Sequence, residues 1–219
     1  MTQESIKLLQ KLEHLVDGNE SAQDVIKKII TLEKLASVKP AKFDCKKLLK
    51  FCKDYWCDGI LYENKNAVVT NSHFISVVKT DYPTEFEGKI ITKDGKEINR
   101  TFPPYKTVID KLKKSATETS TVYLQNITPA LEAVKTYEKF HIGKEIHSIE
   151  IGPKVYTSPQ NAKILLDFHK TYNIDQIHIE RGILNSTVGS FFYAEATEAL
   201  LVLAGVLVTD DNMEYCYRA

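Results

Sequence analysis

The sequence predicts an α+β fold in which antiparallel sheets carry helices on one face, with a helical hairpin added at the N-terminus. Three observations predict it. From Phe43 onward each helical stretch is followed by several short strands, the rhythm of antiparallel sheets rather than of strict βαβ alternation. Asp94-Gly95 stands between two strand-like runs and is a strong hairpin signal. Before the break at Val38-Lys39-Pro40 the chain shows only helical periodicity.

Taken in order, Leu8, Leu12, Leu15 and Val16 fall on one face of a first helix, which Asp17-Gly18 ends. Ser21-Ala22-Gln23-Asp24 reads as a capping-box start for a second helix carrying Val25, Ile29, Leu32 and Leu35. These stripes are expected to form a dimerisation surface or a cap on the main body. Asp44 caps a helix to about Tyr55, and strands follow near Ile60–Glu63, Ala67–Thr70, Phe74–Lys79 and Gly88–Thr92. The Asp94-Gly95 turn leads into Glu97–Thr101, and Pro103 and Pro104 fix the entry of a helix from Tyr105 to about Lys114. Thr121–Gln125 reads as a strand, and Thr128-Pro129 opens a helix to about Phe140. Ile146, Ile149 and Ile151 mark a further strand region, and Ser158-Pro159 starts a helix ending near Tyr172. Alternating Ile177 and Ile179, then Thr187–Ala194 and Glu198–Val208, close the chain with strands.

At 219 residues, 43% hydrophobic and 26% charged, the composition is that of an ordinary globular protein of one or two domains. Twenty-nine acidic and 29 basic side chains leave a formal charge of zero, so a charged partner must be met by a local patch. Met1–Ser5 has no basic or apolar leader, and the longest apolar run, Ala199 to Val208, falls short of the roughly 20 residues a membrane span needs. A cytoplasmic protein with no membrane partner is expected, and the Asn-x-Ser/Thr triplets at Asn99, Asn126 and Asn185 are then without consequence. Cys45, Cys52, Cys57 and Cys216 lack C-x-x-C spacing. Cys45 and Cys52 share a helical face with Leu48 and Leu49, so they read as buried thiols rather than zinc ligands beside His73. No phosphate-binding glycine loop, zinc-protease helix or nucleophile elbow is present. His178-Ile179-Glu180 imitates the start of a zinc-deaminase signature, yet the required P-C-x-x-C is missing, so it reads as an alternating strand. No enzyme activity, cofactor or metal is expected.

Four segments, in order, resemble the bacterial DNA sliding clamps, the β-subunit family of DNA polymerase III. Gly59–Glu63 running through Ala67–Thr70 into Asn71-Ser72-His73-Phe74-Ile75 is similar to an alternating strand entering the family's T-D-G-H-R-L loop. Phe102-Pro103-Pro104-Tyr105-Lys106-Thr107-Val108-Ile109 resembles its F-P-D-Y-R-x-V-L segment. Asn161–Asp167 resembles the inner helix of its last domain, and Ala199–Ala204 its last strand, which ends V-V-M-P. Asn71-Ser72 stand for the family's Asp-Gly, Phe74 for an arginine, Pro104 for an acidic residue and Ala204 for the proline. The resemblance covers about Phe43 to Val208 and implies shortened forms of the family's middle and last domains. It divides the chain into a hairpin (1–40) and two clamp-like domains (41–118 and 119–219).

The resemblance implies non-enzymatic work: cradling or encircling duplex DNA, within a homo-oligomeric ring, and offering a pocket to replication proteins through their short peptide motifs. An aliphatic peptide needs a dry concavity, which Ile75, Pro103, Val108, Leu201 and Leu203 would form with Thr70 and Ser72 at its rim; the plainer reading is that these are core residues. Lysines concentrate on the expected helices: Lys46, Lys47, Lys50 and Lys53 on the first, Lys106, Lys111, Lys113 and Lys114 on the second, and Lys163 and Lys170 on the last. Such segregation suits a DNA-facing surface, because phosphate neutralisation needs no base contact, and it also suits ordinary solvated helix faces. The rival reading is an interaction module that keeps the fold without binding DNA. A hydrolase has no motif in its favour.

Overall fold

The structure is a computed structural model that describes residues 9, 10, 12, 16, 20–36, 42–52, 58–141, 145–153, 155–183, 190–206 and 216–217. It is α+β, with mainly antiparallel sheets. Two compact units are present: Met1–Val69 with Val78–Phe102, and Thr70–Val77 with Pro103–Ala219. The expected boundary after residue 118 differs from this division, because the helix Tyr105–Ser115 packs on a strand of the second unit. The loop 70–77 also belongs to that unit.

The first unit begins with α1 (Glu20–Ala36), the second of the two helices expected near the N-terminus. Its predecessor lies largely outside the described residues. Ile30 is buried, Lys34 pairs with Glu85, and Val25, Ile29 and Leu32 are exposed. The helix expected from Asp44 is a 3₁₀ helix, Cys45–Phe51, in which the Asp44 carboxylate accepts the Lys46 N–H at 3.0 Å. Its continuation through Lys53 to Tyr55 lies outside the described residues. Cys45 and Cys52 are buried free thiols on the side that holds Leu48 and Leu49, as the spacing suggests. The sheet order is β5 (Glu97–Ile98), β4 (Lys89–Thr92), β1 (Gly59–Glu63), β2 (Asn66–Thr70). Strand β5 is shorter than expected because the Arg100 N–H turns back to the Ile98 carbonyl. Gly95 sits in the β4–β5 turn at φ +75°, and a Cβ there would meet Leu32 of α1 at 3.1 Å.

In the second unit the order is β3 (Phe74–Lys79), β11 (Ala199–Ala204), β10 (Ser190–Ala196), β9 (Gln176–Ile183), β6 (Glu118–Tyr123). Leu201, Val202 and Leu203 are all fully buried, the mark of a strand covered on both faces. Along β9, Ile177 and Ile179 are buried while Gln176 and His178 are exposed. A small sheet adds β7 (Ser148–Gly152), β8 (Val155–Thr157) and the parallel β12 (Cys216–Tyr217).

Helix α2 (Tyr105–Ser115) lies on β9, where Gly182 lets it approach: a Cβ there would stand 2.7 Å from the Leu112 carbonyl oxygen. Helix α3 runs Leu124–Phe140, so it starts before the expected Thr128-Pro129, and Pro129 lies inside it. The buried stripe Ile127, Ala130, Leu131 and Val134 begins ahead of the proline, and its burial outweighs one missing backbone donor. Helix α4 (Pro159–Tyr172) begins as expected, with Ser158 accepting the Asn161 N–H at 3.2 Å, and ends at left-handed Asn173. It packs against α3, β7 and β11.

Candidate functional site

The loop between β2 and β3 is built by its own side chains. Asn71 is buried, and its Oδ1 accepts the N–H groups of His73 at 3.0 Å and Phe74 at 3.1 Å. The Thr70 hydroxyl donates to the Phe74 carbonyl at 2.8 Å. This local ladder turns the chain at Ser72, whose φ is +73°, and leaves Ser72 and His73 exposed at the tip.

Distant segments of the second unit fasten the loop. The His73 carbonyl accepts the Ala204 N–H at 2.7 Å and the Asn161 side-chain N–H at 3.3 Å. Asn161 also donates to the Ala204 carbonyl at 3.3 Å, and the Thr157 hydroxyl reaches that same carbonyl at 3.0 Å. Asn161 is buried, and its Oδ1 has no hydrogen-bond partner among the described residues. Thus the loop, the end of β11 and the first turn of α4 meet at one point. Residue types alone single out neither Asn161 nor Thr157 for this role; the Ser158-Pro159 helix start was the nearest signal.

Of the seven expected pocket residues, Thr70, Ile75, Leu201 and Leu203 are buried, Pro103 and Val108 are half-buried and Ser72 is exposed. All seven belong to the second unit, so the expected site needs no meeting of two half-molecules. Leu203 has no exposed surface, so a lysine there would disrupt the core rather than probe a pocket. Val108 lies on α2, which packs on β9, and Pro103 lies just ahead of that helix.

Lys46, Lys47, Lys50, Lys106, Lys111, Lys113, Lys114, Lys163 and Lys170 are exposed, and Lys53 lies outside the described residues. Lys113 pairs with Glu195, and its Nζ lies 5.2 Å from the Tyr193 ring centroid, so its charge is already answered within the chain. Burial and a hydrogen bond to Glu180 raise the Tyr193 phenol above its ordinary value. Among the described residues no group of three or more His, Cys, Asp or Glu side chains is placed to hold a metal ion, and no helix is long and apolar enough to cross a membrane.

No family model and no curated protein matches the chain. In three dimensions it is similar to bacterial sliding clamps. The DNA polymerase sliding clamp of Bacillus subtilis is 10% identical with a TM-score of 0.47, covering 85% of this chain and 63% of that one. A Bartonella birtlesii clamp bound to griselimycin is 14% identical with a TM-score of 0.46, covering 71% and 60%. A Helicobacter pylori clamp bound to a DNA ligase peptide is 12% identical with a TM-score of 0.44, covering 68% and 57%. The chain therefore spans about 60% of the length of these clamps. Likeness at this level concerns the fold and assigns no family.

Proposed function

We propose that this chain is a non-enzymatic, clamp-like DNA-tethering protein whose second unit offers a docking place for partner peptides. One observation carries the reading. Three of the four segments that resemble the sliding clamps, Asn71–Ile75, Asn161–Asp167 and Ala199–Ala204, converge on the His73 carbonyl through hydrogen bonds from Ala204 and Asn161. Segments far apart in sequence that resemble one family and meet at one point are more than a coincidence of composition. The partners would be duplex DNA at the lysines, and replication proteins through short aliphatic and aromatic motifs beside Ser72, Pro103 and Val108. The H. pylori clamp bound to a ligase peptide illustrates the kind of peptide intended.

The test has two arms. Replacing Lys47, Lys50, Lys111 and Lys114 by Glu should abolish binding of a labelled duplex measured by fluorescence anisotropy at low salt. Replacing half-buried Val108 by Lys should weaken a labelled peptide at least tenfold while leaving the melting temperature within a few degrees. A parent chain that binds no duplex at low salt yet binds peptide belongs to the second reading, an interaction module without DNA. The neutral net charge and the internally paired Lys113 favour that module.

A further inference from the structure

The first unit holds a cleft of about 720 Å³ between the 3₁₀ helix and the β4–β5 turn. Lys46, Lys47 and Lys50 enter it from the helix, and Lys93 and Lys96 from the turn, with buried Leu49 and half-buried Thr92 also lining it. Asp44, Asp58 and Asp94 line it too, and the Asp44 carboxylate is occupied in capping the helix. Five lysines thus line one volume with three aspartates, the Lys50 Nζ lying 4.6 Å from the Phe51 ring centroid.

The backbone beneath these lysines is held in place. The Thr92 N–H donates to the Lys96 carbonyl at 2.8 Å, the Lys96 N–H to the Thr92 hydroxyl at 3.0 Å and the Gly95 N–H to the Thr92 carbonyl at 3.0 Å. Across the cleft the Cys52 N–H closes the 3₁₀ helix on the Leu49 carbonyl at 3.1 Å. Lys89, on the same hairpin but outside the cleft, pairs with Glu97 at 3.0 Å. Lys46, Lys47, Lys93 and Lys96 form no ion pair among the described residues. Like charges held together on fixed backbone repel one another, and an anion entering the cleft relieves that repulsion.

We infer that this cleft binds a polyphosphate group, the compact polyanion of a free polyphosphate or of a nucleoside triphosphate. The volume is that of a small-molecule site, and lysine ammonium groups meet phosphate oxygens as point charges without demanding a fixed fork. Among the described residues the cleft is lined by lysines, aspartates, Leu49 and Thr92, so charge is what it offers a ligand. The charges of a duplex are strung along a convex cylinder, whereas charges bonded into one short chain match groups that converge on a concavity. This site is independent of the peptide reading of the second unit, while Lys46, Lys47 and Lys50 are shared with the duplex reading.

The experiment is isothermal titration of the full chain with tripolyphosphate, with ATP and with inorganic phosphate. Tripolyphosphate and ATP should bind with similar affinity and inorganic phosphate at least tenfold more weakly. A K93A/K96A double variant should lose tenfold or more, while K89A should bind as the parent does, and circular dichroism checks that both fold. ATP binding tenfold tighter than tripolyphosphate would assign the site to nucleotides, and the reverse to free polyphosphate. Absence of tripolyphosphate binding, or binding indifferent to K93A/K96A, overturns the inference. A labelled duplex lost on K93A/K96A in a chain that ignores tripolyphosphate would also overturn it and return these lysines to DNA. Because Lys47 and Lys50 line this cleft as well, a K111E/K114E variant, whose changes lie outside it, reads duplex binding apart from either outcome.

Discussion

Ser72 holds a φ of +73° in the loop where the resembling family places glycine. A side chain there costs about 1–2 kcal/mol over glycine, and glycine's greater freedom in the unfolded chain offsets part of that. Ser72→Gly is therefore expected to raise the urea midpoint, by up to about 1 kcal/mol of stability, without moving the loop. His169 is fully buried, its Nδ1 lies 3.4 Å from the Ile174 carbonyl and its Nε2 has no hydrogen-bond partner among the described residues. Burial holds the imidazole below its ordinary value. The folded chain thus binds fewer protons there than the unfolded chain. Its contribution to stability is complete above the ordinary value of 6.5 and is lost as pH falls through the lower folded value. Denaturant midpoints should fall between about pH 7 and pH 5, and the fall should be shallower in His169→Gln. Tyr82, by contrast, is raised to about 12 by burial and its hydrogen bond to Glu87, so it stays neutral throughout that range.

Helix α2 approaches β9 so closely at Gly182 that an added Cβ would stand 2.6 Å from the Ser115 hydroxyl and 2.7 Å from the Leu112 carbonyl oxygen. A carbonyl cannot swing aside as a side-chain end can. Gly182→Ala is expected to cost about 2 kcal/mol, read as a lowered melting temperature, by pushing the helix off the strand. Element starts were legible wherever a capping side chain marks them, as at Asp44 and Ser158, because the cap is a local hydrogen bond. Helix α3 starts ahead of the expected Thr128-Pro129 because Pro129 is a local signal, while the burial of Ile127 that places the start is a tertiary one. Strand β8, three residues between Pro153 and Ser158, is too short to show a period.

Across the whole molecule the zero formal charge confines any DNA contact to patches, so duplex binding should weaken steeply with salt. Each lysine among Lys47, Lys50, Lys111 and Lys114 that touches phosphate should, on replacement, make the log–log salt slope shallower by about 0.9. Replacing Lys113 should change the slope little, because its charge is shared with Glu195.

What the sequence determined by itself is the α+β class, the hairpin at Asp94-Gly95 and the lysine-bearing helices, while the 70–75 loop drew notice only through its resemblance to a known family. Each depends on periodicity, turn chemistry or residue type within a dozen positions. What only the tertiary structure decided is which of these segments meet. Hydrogen bonds from Ala204 and Asn161 bring the loop to β11 and α4, and a cleft gathers Lys93 and Lys96 with the lysines of the 3₁₀ helix. It also turned Leu203 from a pocket candidate into core and Lys113 from a free cation into half of an ion pair. The physical reason is the same in each case: burial and pairing depend on neighbours supplied by distant chain, and one segment's pattern does not record them.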